Sequence, residues 1–282
     1  MSGRGASPYV CELFGQKVGN YSIPCAWEFM LHTIMACPDH YADIAGDYDK
    51  MYSFRDQFAD KLVEVLIKYG RLSNDQDFVD VGCGSGWIQR ILFERGYHFK
   101  TSTSVDPSPL MLQLVKQRVP NAQGINLDGL EFSRLKKTYD ALIINQSFHH
   151  LPIETLEETW RNIRSQLRRG GKVIITFGDG GFFSPDVAKR LKTTGDYSPV
   201  DYSASVRICE SVLQKCGYKF TSDSPVERSY KVKVSREQYG YMLRQRYVSA
   251  LGVISDKDIE KEVAALPDPV EFQYKWTIIV AE

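Results

Sequence analysis

Three aspartates, Asp80, Asp106 and Asp128, each stand at or near the end of a short apolar run. Asp80 lies two residues before the first glycine of Phe78-Val79-Asp80-Val81-Gly82-Cys83-Gly84-Ser85-Gly86-Trp87, and Asp106 follows Gly86 by twenty positions. Glycines can adopt backbone angles closed to other residues and carry no Cβ to hold a ligand away, so this turn suits backbone wrapped closely around a nucleoside-bearing cofactor. A carboxylate at Asp106 can accept both hydroxyls of a ribose. Asp128, between Leu127 and Leu130, suits an adenine ring held by apolar side chains with its amine on the acid. His149 and His150 are the remaining groups with obvious chemistry. Adjacent histidines on an extended or loop segment are expected to point apart, which makes a poor two-ligand metal site. His149 is therefore kept as a candidate base and His150 as a buried, hydrogen-bonded side chain, with no metal expected.

These residues need a sheet to line them up. Apolar positions Phe58, Leu62, Val65, Leu66 and Tyr69 recur at helical spacing over 54–69, with Gly70 placed as a C-cap. Strands are predicted at 77–81, 101–106, 123–127, 139–145 and 172–177, separated by helices over 87–95, 108–119 and 156–167. The nearly unbroken apolar run at 139–145 fits a strand buried on both faces of a parallel sheet. This alternation predicts a doubly wound α/β fold whose ligand site lies at the carboxyl ends of the strands. A helix over 202–215 follows. Two β-rich stretches, 226–234 and 272–280, flank a helical insert at 236–265 and are expected to form an antiparallel pair completing one sheet edge.

The chain of 282 residues can bury one large core. Its 35 basic and 35 acidic residues cancel, which argues against nucleic acid as main partner. No segment approaches the roughly 18 uninterrupted apolar residues of a membrane span, and the N-terminus lacks a signal-peptide core. Six cysteines without a C-x-x-C pair fit reduced thiols, and a cytoplasmic location is expected.

An ordered series of motifs carries a family resemblance: Val79-Asp80-Val81-Gly82-Cys83-Gly84-Ser85-Gly86, Ser104-Val105-Asp106, Leu127-Asp128, Asn145-Gln146-Ser147-Phe148-His149-His150-Leu151-Pro152 and Leu167-Arg168-Arg169-Gly170-Gly171-Lys172-Val173. Together they resemble the class I S-adenosylmethionine-dependent methyltransferases of the small-molecule type. The segments Tyr41-Ala42-Asp43-Ile44-Ala45 and Tyr48-Asp49-Lys50-Met51-Tyr52 resemble the part that covers the cofactor in such enzymes, and 274–281 their last strand.

The resemblance implies a Rossmann-like, mostly parallel seven-stranded sheet with a C-terminal antiparallel pair. It divides the chain into a helical cap over residues 1–53 and a cofactor-binding domain over 54–282, with inserts near 180–201 and 235–266 on the substrate side. It implies S-adenosylmethionine as cofactor, S-adenosylhomocysteine as product, and no metal. Gly82, Gly84 and Gly86 would face the methionyl and ribose part, Asp80 the amino group, Asp106 the ribose and Asp128 the adenine amine. Asn145 and Gln146 would line the methionyl side, Arg55 would meet the cofactor carboxylate, and Tyr48, Cys83, Pro107, Leu127 and Gly129 would complete the shell.

The acceptor is expected to be a small molecule methylated on N, O or C by in-line displacement, a reaction that needs chiefly alignment and exclusion of water. Tyr21, Trp27, Glu28, Tyr52 and Phe148 are candidates for its pocket, since aromatic faces favour flat or cationic partners. A nicotinamide dehydrogenase is disfavoured because the spacing is G-x-G-x-G rather than G-x-G-x-x-G. The base-modifying Asn/Asp-Pro-Pro-aromatic signature is replaced by Asn145-Gln146-Ser147-Phe148, which disfavours nucleic-acid methylation. A non-catalytic cofactor-binding protein, or a protein methyltransferase, are the alternatives.

Overall fold

The computed structural model describes residues 47–179, 202–247, 251 and 254–282. The cap candidates Tyr21, Trp27 and Glu28, most of the 1–53 cap and the 180–201 insert lie outside the described residues.

A seven-stranded sheet in the order β3-β2-β1-β4-β5-β7-β6 organises the chain. Its strands are β1 (Asp77–Val81), β2 (Thr101–Val105), β3 (Ala122–Ile125), β4 (Tyr139–Asn145), β5 (Leu167–Asp179), β6 (Val226–Val234) and β7 (Val270–Ala281). The first five run parallel, and β7 pairs antiparallel with both β5 and β6. The strand order reverses direction between β1 and β4. Ligands bind outside the carboxyl ends of strands at such a point in open α/β sheets.

Helices cover both faces. They are α1 (Tyr48–Met51), α2 (Ala59–Gly70), α3 (Trp87–Glu94), α4 (Pro109–Arg118), α5 (Gly129–Ser133), α6 (Leu156–Gln166), α7 (Tyr202–Lys215), α8 (Arg236–Arg244) and α9 (Asp256–Ala264). β1 is buried along its whole length, its two aspartates included, and the core divides into two layers, one on each side of the sheet. One layer packs Leu62, Leu66, Ile88 and Ile91 against Phe78, Ile143 and Ile174. The other packs Trp160, Ile163, Val212 and Leu213 against Val79, Leu142 and Ile175.

Three local expectations are corrected. Residues Ser53–Phe58 form a 3₁₀ helix, so the α-helix begins only at Ala59. Gly70 ends α2 instead of capping it. The left-handed residue is Arg71 (φ 51°), and a Cβ on Gly70 would collide with Ile174 on β5. Its glycine therefore serves close helix-to-strand packing. Finally, β5 starts at Leu167, where Tyr139 pairs with it before the register shifts so that Ala141 faces Lys172. The strand is predicted to begin at 172, but β5 already includes Gly170-Gly171, which form an irregularity within it, with Gly170 at φ 79°.

The insert at 236–265 is built from α8 and α9. Each starts at a serine, Ser235 and Ser255, whose hydroxyl accepts a backbone N–H of the first turn. At the outer edge, Lys231 and Lys233 of β6 pair with Glu271 of β7. Gln57 reaches the same edge: its amide donates to the Lys233 carbonyl at 2.7 Å and accepts the Lys233 N–H at 3.1 Å.

Candidate cofactor and active site

The glycine turn is shaped by three left-handed glycines, Gly82 (φ 68°), Gly84 (φ 52°) and Gly86 (φ 76°). The N–H groups of Gly82 and Cys83 both donate to the Val105 carbonyl, at 2.8 and 3.0 Å, which ties the turn to the end of β2. A Cβ at Gly82 would strike Ser147 Oγ, whose hydroxyl donates to the Val81 carbonyl at 3.1 Å. A Cβ at Gly86 would press on Val115 of α4 at 3.0 Å. Gly84 differs, because a Cβ there would enter open space. Gly82 and Gly86 thus serve the protein's own packing, while Gly84 keeps a hollow open.

Around that hollow the structure gathers the acids. Asp106 accepts the Gly84 N–H on Oδ2 at 2.8 Å and the Ser108 N–H on Oδ1 at 2.9 Å. Burial pushes its carboxyl up, while those two backbone bonds pull it down. Asp80 is fully buried, and neither of its carboxylate oxygens has a hydrogen-bond partner. Burial first, and the Asp106 charge second, push its carboxyl up to about 8. An unpartnered buried carboxylate is costly, so this position is suited to a ligand that brings a positive charge or a donor.

The cationic side of the site comes from the segment before α2. Arg55 is buried, with its guanidinium 4.6 Å from the Trp87 ring, 4.7 Å from Tyr52 and 5.6 Å from Tyr48. Its Nε donates to the Tyr52 carbonyl at 3.2 Å. Tyr48 feels Arg55, Asp49 and Asp106 at once, and burial raises its phenol above the ordinary range. Asp80, Asp106, Tyr48 and Arg55 therefore surround the turn together. Cys83 is buried there, its thiol pushed well up by burial and by the two acids, so it is inert as a nucleophile.

Beyond β3 the arrangement is looser. Asn126 donates to the Asp106 and Pro107 carbonyls at 3.0 and 2.9 Å, joining the ends of β2 and β3. Asp128 is the N-cap of α5. Its Oδ1 accepts the Glu131 N–H at 2.8 Å, and Glu131 Oε2 accepts the Asp128 N–H at 3.0 Å. The cap uses one carboxylate oxygen, so the other is what an adenine amine could meet. Leu127 is half-buried against the core layer that contains Trp160 and Ile163, and Gly129 lets Leu151 approach its backbone.

At the end of β4, Asn145 Oδ1 accepts the Thr176 hydroxyl at 2.8 Å. Gln146 takes a left-handed backbone (φ 53°), rare for a residue with a side chain, and its amide donates to the Tyr274 hydroxyl at 2.8 Å. Gly178 on β5 leaves room for this pair, since a Cβ there would sit 2.8 Å from the Tyr274 hydroxyl and 3.0 Å from Gln146 Oε1.

Several expectations on the acceptor side are corrected. Phe148 is fully buried between Trp160 and Phe177, at ring separations of 6.1 and 5.5 Å, and is a core residue rather than a pocket wall. Tyr52 is buried too. Its hydroxyl donates to the Tyr247 carbonyl and its ring carries Arg55, so it ties the segment before α2 to the insert. His149 and His150 sit on a 3₁₀ turn that brings their rings to 4.1 Å instead of apart. His150 is exposed, contrary to expectation. His149 is half-buried, and burial followed by the neighbouring His150 holds it well below the usual imidazole range.

The sequence reading missed Asp49, Ser85, Arg118 and Tyr274. Asp49 and Ser85 lay inside quoted motifs, but nothing in their type marked them as partners. Among the described residues no cluster of three or more His, Cys, Asp or Glu could hold a metal ion. No helix among them is long and apolar enough to cross a membrane.

Residues 79–175 match the family model described as a methyltransferase domain. The chain is similar to an uncharacterized methyltransferase of Oceanobacillus iheyensis, 29% identical over 138 residues, covering 49% of this chain and 58% of that protein. It is also similar to the malonyl-[acyl-carrier protein] O-methyltransferase of Acetivibrio thermocellus, 26% identical over 215 residues and 73% of each chain. Among solved structures, a methyltransferase of Thiobacillus denitrificans in complex with S-adenosyl-L-homocysteine aligns over 78% of this chain and 90% of that one, at 14% identity and a TM-score of 0.45.

Proposed function

We propose that the chain, whose residues 79–175 match a methyltransferase domain, is a class I S-adenosylmethionine-dependent methyltransferase that methylates N, O or C of a small-molecule acceptor. The observation that carries the cofactor assignment is Asp80. Its carboxylate, buried, unpartnered and close enough to Asp106 to feel its charge, is matched by the ammonium of a methionyl group. Arg55, caged by three aromatic rings, is matched by the carboxylate of that same group. Asp106 keeps lone pairs for a ribose after accepting its two backbone donors.

When bound, S-adenosylmethionine supplies an electrophilic sulfonium methyl. The protein's part is alignment and desolvation, which can supply on the order of 7–11 kcal/mol of barrier lowering. The covering segment with Tyr48 and Arg55 excludes water from the glycine turn. Gln146, directly after β4, and Tyr274, within β7, provide a fixed polar pair in an aromatic surround. For an acceptor that loses a proton, His149 is the proposed proton acceptor, being held neutral on the turn directly after β4. A small acceptor is supported by the zero net charge and by the lack of a base-modifying signature after β4.

Calorimetric titration with S-adenosylhomocysteine, followed by label transfer from methyl-labelled cofactor into fractionated metabolites, tests both halves. Failure to bind either cofactor form removes the reading. Label found only in protein or RNA removes the small-molecule acceptor.

A further inference from the structure

The one acid of α1 makes contacts that hydrophobic packing of the covering segment does not need. Asp49 Oδ1 accepts the Ser85 hydroxyl at 2.6 Å, and Ser85 lies between the left-handed Gly84 and Gly86. Asp49 Oδ2 pairs with Arg118, whose guanidinium also donates to the Ser85 carbonyl at 3.2 Å. Arg118 closes α4, where a cation is favoured by the helix carboxyl end. The second guanidinium, Arg55, stands 3.9 Å from Asp49 Oδ1.

Three separate pieces of chain thus meet on one carboxylate: the covering segment, the glycine turn and α4. Ser85 is buried, so its hydroxyl has a fixed partner there. Asp49 is shared between two arginines, which leaves Arg55 incompletely neutralised and available to a ligand carboxylate. From this juxtaposition we propose that Asp49, with Arg118 as its counter-ion, is the positioning residue that latches the covering segment onto the glycine turn and sets Arg55 over the cofactor. The proposal rests on the cofactor reading given above. In many enzymes the opening of such a segment, rather than chemistry, limits turnover.

Asp49→Ala, Asp49→Asn and Arg118→Met, prepared as full-length protein, test it. A charge-assisted bond of this kind is worth roughly a factor of ten to a hundred in an equilibrium constant. Asp49→Ala should weaken S-adenosylhomocysteine binding about tenfold or more, mostly by faster dissociation. It should raise KM for the cofactor more than it lowers kcat. Asp49→Asn, which retains an acceptor for Ser85, should fall between, and the Asp49→Ala/Arg118→Met pair should lose no more than the worse single variant. Hydrogen exchange over residues 47–58 should quicken in the ligand-free variants. Wild-type dissociation rate and exchange in a folded Asp49→Ala protein would overturn the latch. Should that variant not fold, Arg118→Met reads the same two quantities. If the wild type binds no cofactor, the functional reading fails instead, and exchange over 47–58 alone decides the latch.

Discussion

Gly84 and Asp106 are joined by a 2.8 Å hydrogen bond from the glycine N–H to Oδ2 of the acid. That bond fixes the top of the glycine turn against the end of β2, and the Ser108 N–H holds the other oxygen of the carboxylate. Two substitutions probe it. Asp106→Ala should cost S-adenosylhomocysteine affinity at least about tenfold, as expected for lost hydrogen bonds to a charged acceptor at roughly 1.5–3 kcal/mol. Gly84→Val adds a branched side chain at φ 52°, where L-residues are disfavoured by about 1–2 kcal/mol, and fills the open space. Both variants should remain folded by circular dichroism and lose methyl transfer.

Asp80 gives the site a pH dependence of known sign. Its carboxyl is raised to about 8 in the ligand-free fold, against roughly 3.9 for an unperturbed aspartate. The folded state therefore holds a proton that the unfolded chain has released between those values, so ligand-free stability from this group falls as pH rises from about 4 to 8. A cationic ligand beside Asp80 favours the charged form, so binding should release a proton and tighten as pH rises toward 8. Calorimetry in buffers of different ionisation enthalpy measures that release, and Asp80→Asn should abolish it.

Phe148 and His149 are neighbours with opposite expected phenotypes. Phe148→Ala empties a fully buried site against Trp160 and Phe177 and should cost about 3–5 kcal/mol of stability, read as a lowered unfolding midpoint. His149→Gln should leave stability and S-adenosylhomocysteine affinity unchanged. With an acceptor that loses a proton it should lower kcat by about 10²–10⁴-fold. Because burial and His150 keep His149 neutral at pH 7, the wild-type rate should show no inflection from it between pH 6.5 and 8.

Gly178 provides a check on the acceptor side. Gly178→Ala would drive its methyl group into the Tyr274 hydroxyl and Gln146 Oε1 and break their pairing. The expected result is a raised KM for acceptor, and weaker S-adenosylhomocysteine binding to the extent that Gln146 also lines the methionyl group.

The parts of the fold legible in sequence were those set by local pattern. The apolar runs at 77–81 and 139–145 became β1 and β4 to the residue, and the glycine turn fell where its left-handed positions require it. What sequence could not supply were contacts between distant polar residues. Asp49, Ser85 and Arg118 are common surface types whose meeting depends on three elements folding together. Asp128 read as a ligand acid without its second role, although Glu131 three residues on is the partner a capping box requires. Phe148 followed an expected pocket motif, but the 3₁₀ turn after β4 rotates it into the core.

Among the described residues no strand pairs with the outer side of β6, and the amide of Gln57, bonded to both backbone groups of Lys233, takes the place that one residue of such a strand would hold. An incoming chain seeking to extend the sheet from β6 finds that rung already taken and meets the Lys231, Lys233 and Glu271 charges beside it. Among the described residues, one rung of that edge is thereby withheld from a pairing strand by a side chain from the same short segment that carries Arg55.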